Sequence, residues 1–351
     1  MLAQKMKAIL IVLFAVVLCL GCNKNLGTPP PPGPKWRVFT KETTPLVDNT
    51  VNTISIDADG KIWFGTNGGA SALRTSVWKS YINELAYTAD RIGTLHQVNA
   101  ITNANDGSTW FGLNGGGVRR FLPTSPSQQW TSYRQSDGNS ISADVIGQMA
   151  SDQFGIGETN EIWCLPLLAG ISRFQSRLTD PINGDWTNYS TFSGIPPNWV
   201  TSVQVNLARR TVWFGTHYGQ LFFYNGNGWS SDERPNNYNG QINTIAVENG
   251  DIIWAGTIDG AFRRAISWRQ YTTADGLPSN NVHAIVVDIH NTKWFGTSGG
   301  FARFDNSSWS IFNRVNSPLP SDTVQALAID EDGKIWIGTT NGAAVYDPNG
   351  K

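Results

Sequence analysis

Residues 275–297, DGLPSNNVHAIVVDIHNTKWFGT, decide the architecture of the chain. A Gly-Leu-Pro turn leads into VHAIVVD (282–288), a β-rich run. A short polar turn follows, and a second apolar run closes on Trp294, Gly296 and Thr297. The closing hexad recurs as KIWFGT (61–66), STWFGL (108–113), EIWCLP (161–166), TVWFGT (211–216), IIWAGT (252–257), TKWFGT (292–297) and KIWIGT (334–339). The Trp residues, 63, 110, 163, 213, 254, 294 and 336, are spaced by 40 to 53 residues. That period is the range of propeller blades, and no stretch beyond the first twenty-odd residues shows helical periodicity. Ahead of each Trp lies another β-rich run, such as VNTISID (51–57), INTIAVE (242–248) or VQALAID (324–330).

Downstream of each hexad come a Gly-containing turn, a third strand and a Trp-x-x-aromatic motif: WKSY (78–81), WTSY (130–133), WTNY (186–189), WRQY (268–271) and WSIF (309–312), with WSSD (229–232) degenerate. Each unit thus reads as four antiparallel strands, A to D. The last unit runs out before a fourth strand, yet an orphan copy, WRVF (36–39), stands ahead of every A strand. The economical reading is an all-β, seven-bladed β-propeller of four-stranded antiparallel blades, its ring closed by the N-terminal strand joining the C-terminal blade. Closure removes the raw sheet edges that an open array would expose. It also assigns fourteen of the fifteen Trp, leaving Trp199 over. Two stacked sandwiches are the alternative fold.

Of the 351 residues, 40% are hydrophobic and 15% charged, enough for a large core. Lys plus Arg (26) balances Asp plus Glu (27), and the basic residues are scattered, which excludes nucleic acid as a partner. Residues 1–21 read as a secretory signal: Lys5 and Lys7 precede the thirteen uncharged residues Ala8 to Leu20, too few to span a bilayer. LCLGC (18–22) resembles the lipobox of bacterial lipoproteins, with Cys22 as the lipidated residue and Cys19 in place of the usual Leu. The expected organisation is signal peptide 1–21, lipidated Cys and Pro-rich linker 22–34, and propeller 35–351. The expected location is the cell envelope, extracytoplasmic, with membrane contact through the lipid anchor only. Cys164 would then be the single thiol of the mature chain.

The pattern V-x-x-I-x-x-D-x-x-G-x-I-W-x-G-T, followed by a Gly turn, W-x-x-Y and sometimes G-L-P-x-N, resembles the two-component regulator propeller repeat. The third unit departs from it, with Cys164-Leu165-Pro166 in its hexad and a longer A–B turn (Asp152 to Asn160). The resemblance implies an extracytoplasmic sensor propeller, often one recognising oligosaccharides. It carries over the propeller alone, as a stand-alone lipoprotein version, and not phosphotransfer signalling.

Propellers bind at the mouth of the central channel, on the face of the D–A and B–C connections. Two constellations fall there. The unassigned Trp199 ends the entry loop of the fourth unit, and His217 and Tyr218 occupy its B–C turn, where other units carry Asn, Ser or Gly; an aromatic platform is expected. The second A-strand residues read Asn52, Asn99, Gly147, Thr201, Asn243, His283 and Gln325 around the ring, six of them polar. They could face a ligand, or could satisfy one another and nearby backbone groups. Asp259, in the fifth B–C turn, is the acidic partner considered for His217 or His283.

No HExxH, Cys pair or Gly-x-Ser-x-Gly occurs among these residues, and the Asp-x-Asp-Gly runs (57–60, 330–333) read as turns that lack the rest of a calcium loop. The expectation is a non-catalytic propeller with no cofactor and no metal, binding a small molecule or glycan or an envelope protein. An enzyme of the lyase or glycan-cleaving kind, using His217 or His283, is the alternative; a scaffold for an envelope complex is a third.

Overall fold

Each apolar, β-branched run flanking a buried Trp folds as expected for a sheet covered on both faces. A computed structural model describes residues 35–350 apart from 90–92, 126–128, 139, 153–158, 191–198, 232–234 and 236–237. Trp36–Asp347 form one compact unit. Within it stand seven four-stranded antiparallel sheets, six of them running A to D in chain order. In the seventh, Val324–Ile329, Ile335–Thr339 and Gly342–Asp347 are completed by the N-terminal strand Lys35–Phe39, which lies beside Gly342–Asp347. The ring is closed by its own two ends, and the sandwich alternative is excluded. The signal peptide, Cys22 and the Pro-rich linker lie outside the described residues. No helix among the described residues is long and apolar enough to cross a membrane.

Each letter of the W-x-G-T hexad has a physical task. The indole is buried between sheets, and in four blades its N–H is held by the acid six residues earlier: Trp63 by Asp57 (3.1 Å), Trp254 by Glu248 (2.8 Å), Trp294 by Asp288 (3.1 Å) and Trp336 by Asp330 (2.9 Å). In the second blade the Ser108 hydroxyl takes this place, accepting from Trp110 at 2.8 Å. The Asp-x-Asp-Gly runs are the turns that supply this acid, since Asp57 and Asp330 also accept backbone N–H groups of their own turns. The Gly lets the next blade approach. A Cβ at Gly296 would sit 2.6 Å from Val324, and one at Gly338 would sit 2.8 Å from Val51, so the junction of last blade and first is built like the others. The Thr clasps the B–C turn, Thr66, Thr257, Thr297 and Thr339 each donating to the carbonyl of the Gly three residues on.

Two features were not foreseen from the repeats. A small hairpin, Tyr87–Ala89 with Gly93–Leu95, is inserted between the first and second blades, and the Tyr87 hydroxyl donates to the Asn114 carbonyl of the second B–C turn. In the sixth blade, Lys293 occupies a B-strand position that is Ile, Thr or Val elsewhere, and it is fully buried.

Candidate functional site

The mouth is set by one defect repeated seven times. In every blade the A–B register slips between the first and third residues of strand A, from Val51/Thr53 in the first blade to Val324/Ala326 in the last. The second residue sits at this bulge, unpaired in the ladder. All seven such residues line one cavity of about 380 Å³ at the D–A/B–C end of the channel, so Asn52, Asn99, Asn243, His283 and Gln325 are brought together as the sequence suggested. Among the described residues its lining carries no Asp, Glu, Lys or Arg, and burial lowers the pKa of His283 below its ordinary 6.5.

Four of the seven are stitches between blades. Asn52 donates to the Val98 carbonyl (3.0 Å), Asn99 to Ile146 (2.9 Å), Thr201 to Ile242 (2.7 Å) and Asn243 to Val282 (3.0 Å), each time the first A-strand residue of the next blade. The backbone-satisfying role left open by the sequence is therefore the one these side chains play, and each bond adds about 0.5–1.5 kcal/mol to the blade junction. In the third blade Gly147 has no side chain for this, and Gln148 substitutes. It donates to the Asn243 carbonyl (2.9 Å) and accepts from the Val203 N–H (3.2 Å).

The sixth and seventh blades differ. His283 Nε2 bonds Ser298 Oγ at 2.8 Å within its own blade, and Gln325 Oε1 is buried with no hydrogen-bond partner. These two keep hydrogen-bonding capacity that the stitches do not.

Beside the cavity, Trp199, His217 and Tyr218 form a three-ring group, with centroids 5.1 Å apart for Trp199–His217, 5.6 Å for Trp199–Tyr218 and 5.2 Å for His217–Tyr218. Trp199 is 40% exposed and Tyr218 47%. His217 Nδ1 bonds Gln241 Oε1 at 3.0 Å, and Gln241 lines the cavity, which joins the two constellations. The loop preceding Trp199 lies outside the described residues. Asp259 does not line the cavity; its backbone N–H is held by Thr257 Oγ1 (3.0 Å) and its carbonyl accepts from Gln270 (2.8 Å). Sequence reasoning missed Leu167 and Leu168, two exposed side chains on the third B–C turn, of which Leu167 lines the cavity. Their only signal was the departure of CLPLL (164–168) from the repeat. No group of three or more His, Cys, Asp or Glu that could hold a metal ion occurs among the described residues.

The model of the two-component regulator propeller family matches residues 45–68 and 318–341, the A–B units of the first and last blades. No functionally curated protein matches the sequence. Among solved structures, the extracellular domain of the putative hybrid two-component system BT3049 from B. thetaiotaomicron superposes with a TM-score of 0.68 at 17% identity, over 90% of this chain and 42% of that one. Virginiamycin B lyase from Staphylococcus aureus gives 0.66 at 14% identity, over 90% and 99%. PorZ, a surface component of the type-IX secretion system of Porphyromonas gingivalis, gives 0.65 at 16% identity, over 86% and 47%. The chain spans about two-fifths of the length of BT3049 and of the similar domain BT4673. At these identities the likeness is one of fold. The chain is thus a closed seven-bladed propeller whose first and last blades, on either side of the closing junction, match the two-component regulator propeller repeat.

Proposed function

We propose that this chain is an extracytoplasmic, non-catalytic binding propeller, tethered to a membrane through lipid on Cys22, whose ligand seats in the mouth between the stitched rim and the Trp199 group. The observation that carries this reading is the convergence of seven bulge residues on one cavity with no charged side chain among its described lining, two of them left with free hydrogen-bonding capacity, beside three rings in mutual contact. Such rings offer the kind of face on which a sugar or another flat group rests. The extracytoplasmic assignment draws on the secretory character of residues 1–22 and on the settings of similar propellers, which include extracellular domains and a bacterial surface component.

One similar fold is a lyase, known also as a catalytically inactive His-to-Ala variant with quinupristin. In this chain, the cavity that holds His283 has no carboxylate in its lining, and neither His217 nor His283 bonds Asp259 among the described residues. That arrangement favours binding over acid–base chemistry. The test is a thermal-shift screen of the full-length protein against neutral glycans and blocked peptides, with each hit repeated on Trp199→Ala. The expected result is a hit that weakens about tenfold or more in the variant and is recovered chemically unchanged. A ligand that binds Trp199→Ala as well as wild type, or one converted to product, overturns the reading.

A further inference from the structure

The free hydrogen-bonding groups of the mouth have a definite pattern. Ser298 Oγ accepts from Asn281 Nδ2 at 3.0 Å and shares a hydrogen bond of 2.8 Å with His283 Nε2, in which the serine donates when Nε2 is the unprotonated ring nitrogen. In that tautomer the neutral imidazole carries its proton on Nδ1, for which the described residues provide no acceptor. On the next blade, Gln325 Oε1 is a buried acceptor without a donor. A donor and an acceptor side by side on neighbouring blades are the complement of a secondary amide, one C=O and one N–H.

The opposite side of the mouth is apolar and partly aliphatic. Leu167 and Leu168 are 57% and 55% exposed, and Leu168 holds φ at +59°, a left-handed backbone that disfavours leucine. Exposed Tyr218 and Ile258 continue the arc on the next two B–C turns. Aliphatic tips rimmed by polar groups suit aliphatic and aromatic side chains better than a face of hydroxyls. The described lining offers a charged ligand no counter-ion, so ionised groups entering it would lose water without compensation there.

We propose that the ligand of this mouth is an uncharged, extended peptide segment whose apolar side chains lie on the Leu167–Leu168–Tyr218 arc while one of its peptide groups bonds His283 and Gln325; this rests on the mouth being the binding site. The test uses five-residue peptides, acetylated and amidated at their ends, with Leu or Phe alternating with Gly. Counterparts carrying Asp or Lys, and a panel of neutral oligosaccharides, are compared by calorimetry on the full-length protein. Saturable binding of the apolar peptides is expected, weakened about tenfold by Gln325→Leu and by Leu167→Ser combined with Leu168→Ser, while the melting curves of these variants stay that of wild type. Equal binding of the Asp or Lys peptides, or peptide binding indifferent to both variants, overturns the proposal. Oligosaccharide binding that is lost in Trp199→Ala, with no peptide binding, overturns the peptide class and leaves the mouth as the site. Absence of binding by every probe overturns both.

Discussion

Phe39→Ala lowers the stability of the folded chain by about 3–5 kcal/mol, the cost of emptying a fully packed aromatic site. Phe39 is buried, stacked on Trp336 of its own blade at 5.7 Å and 17°, and it also meets Trp78 at 5.7 Å and Phe64 at 6.4 Å in the first blade. Three residues earlier, Trp36 meets Tyr346 at 4.8 Å and, in the sixth blade, Phe312 at 5.7 Å. One five-residue strand thus places a ring in each of the two interfaces that flank the closing blade. Deleting residues 35–39 removes both rings and uncovers an edge strand, so its effect exceeds that of Phe39→Ala and approaches the whole stability of a domain with about 5–15 kcal/mol to lose. A urea titration measures both. An unchanged midpoint after the deletion would show that the strand contributes nothing to closure.

The second large effect lies between the fifth and sixth blades. Glu248 is buried and accepts from Trp254 Nε1 (2.8 Å), Arg263 Nε (3.0 Å) and Lys293 Nζ (3.3 Å). Lys293 also donates to the Asn291 carbonyl at 2.7 Å and to Asn306 Oδ1. Glu248→Ala leaves a fully buried ammonium without its carboxylate and is expected to cost about 3–5 kcal/mol. Lys293→Ile installs the residue that most other blades carry. Glu248 keeps two donors there, and the expected change is within about 1 kcal/mol or stabilising.

Acid separates Glu248→Ala from wild type as well. Burial raises the Glu248 pKa, but the hydrogen bonds from Arg263 and Trp254 and the charges of Lys293 and Arg263 outweigh it, so the carboxyl sits below its ordinary 4.5. A depressed carboxyl stabilises the fold above its unfolded pKa, and that stability is lost as pH falls through the folded value. Wild type should therefore lose stability below about pH 4.5 by an increment that Glu248→Ala lacks. Equal acid slopes for the two proteins would contradict this. Lys293 moves the other way. Its burial lowers its pKa, with Glu248 opposing, so the cost of holding the ammonium inside is present at neutral pH and relieved only as pH rises past the folded value.

Blade number, strand order and closure were legible because each rests on large aromatics repeated in register. A Trp that must fill the same place seven times leaves the same hexad seven times, and the orphan WRVF had one economical home. The bulge residues could be collected by alignment, but their duty could not, because Asn52 acts on Val98 and Asn99 on Ile146, partners 46 and 47 residues away in the next blade. Nothing in a β-rich run announces a one-residue register slip. Leu167 and Leu168 showed only as a damaged repeat, since a turn's exposure depends on what neighbours fail to cover it. Lys293 read as one altered letter in KWFGT, and its meaning needed Glu248 across the blade junction. The inserted hairpin has strands of three residues, too short for alternation to register.

That the two ends of the chain share one sheet, and so enclose a single mouth, is tested most directly by amide hydrogen exchange along Lys35–Phe39. The amides of this strand that bond to Gly342–Asp347 should exchange as slowly as those of the corresponding outer strands Trp268–Tyr271 and Trp309–Phe312, since all three open only with their blades. Exchange at the rate of an unstructured peptide throughout residues 35–39, with the other two strands protected, would mean an open ring and no enclosed mouth.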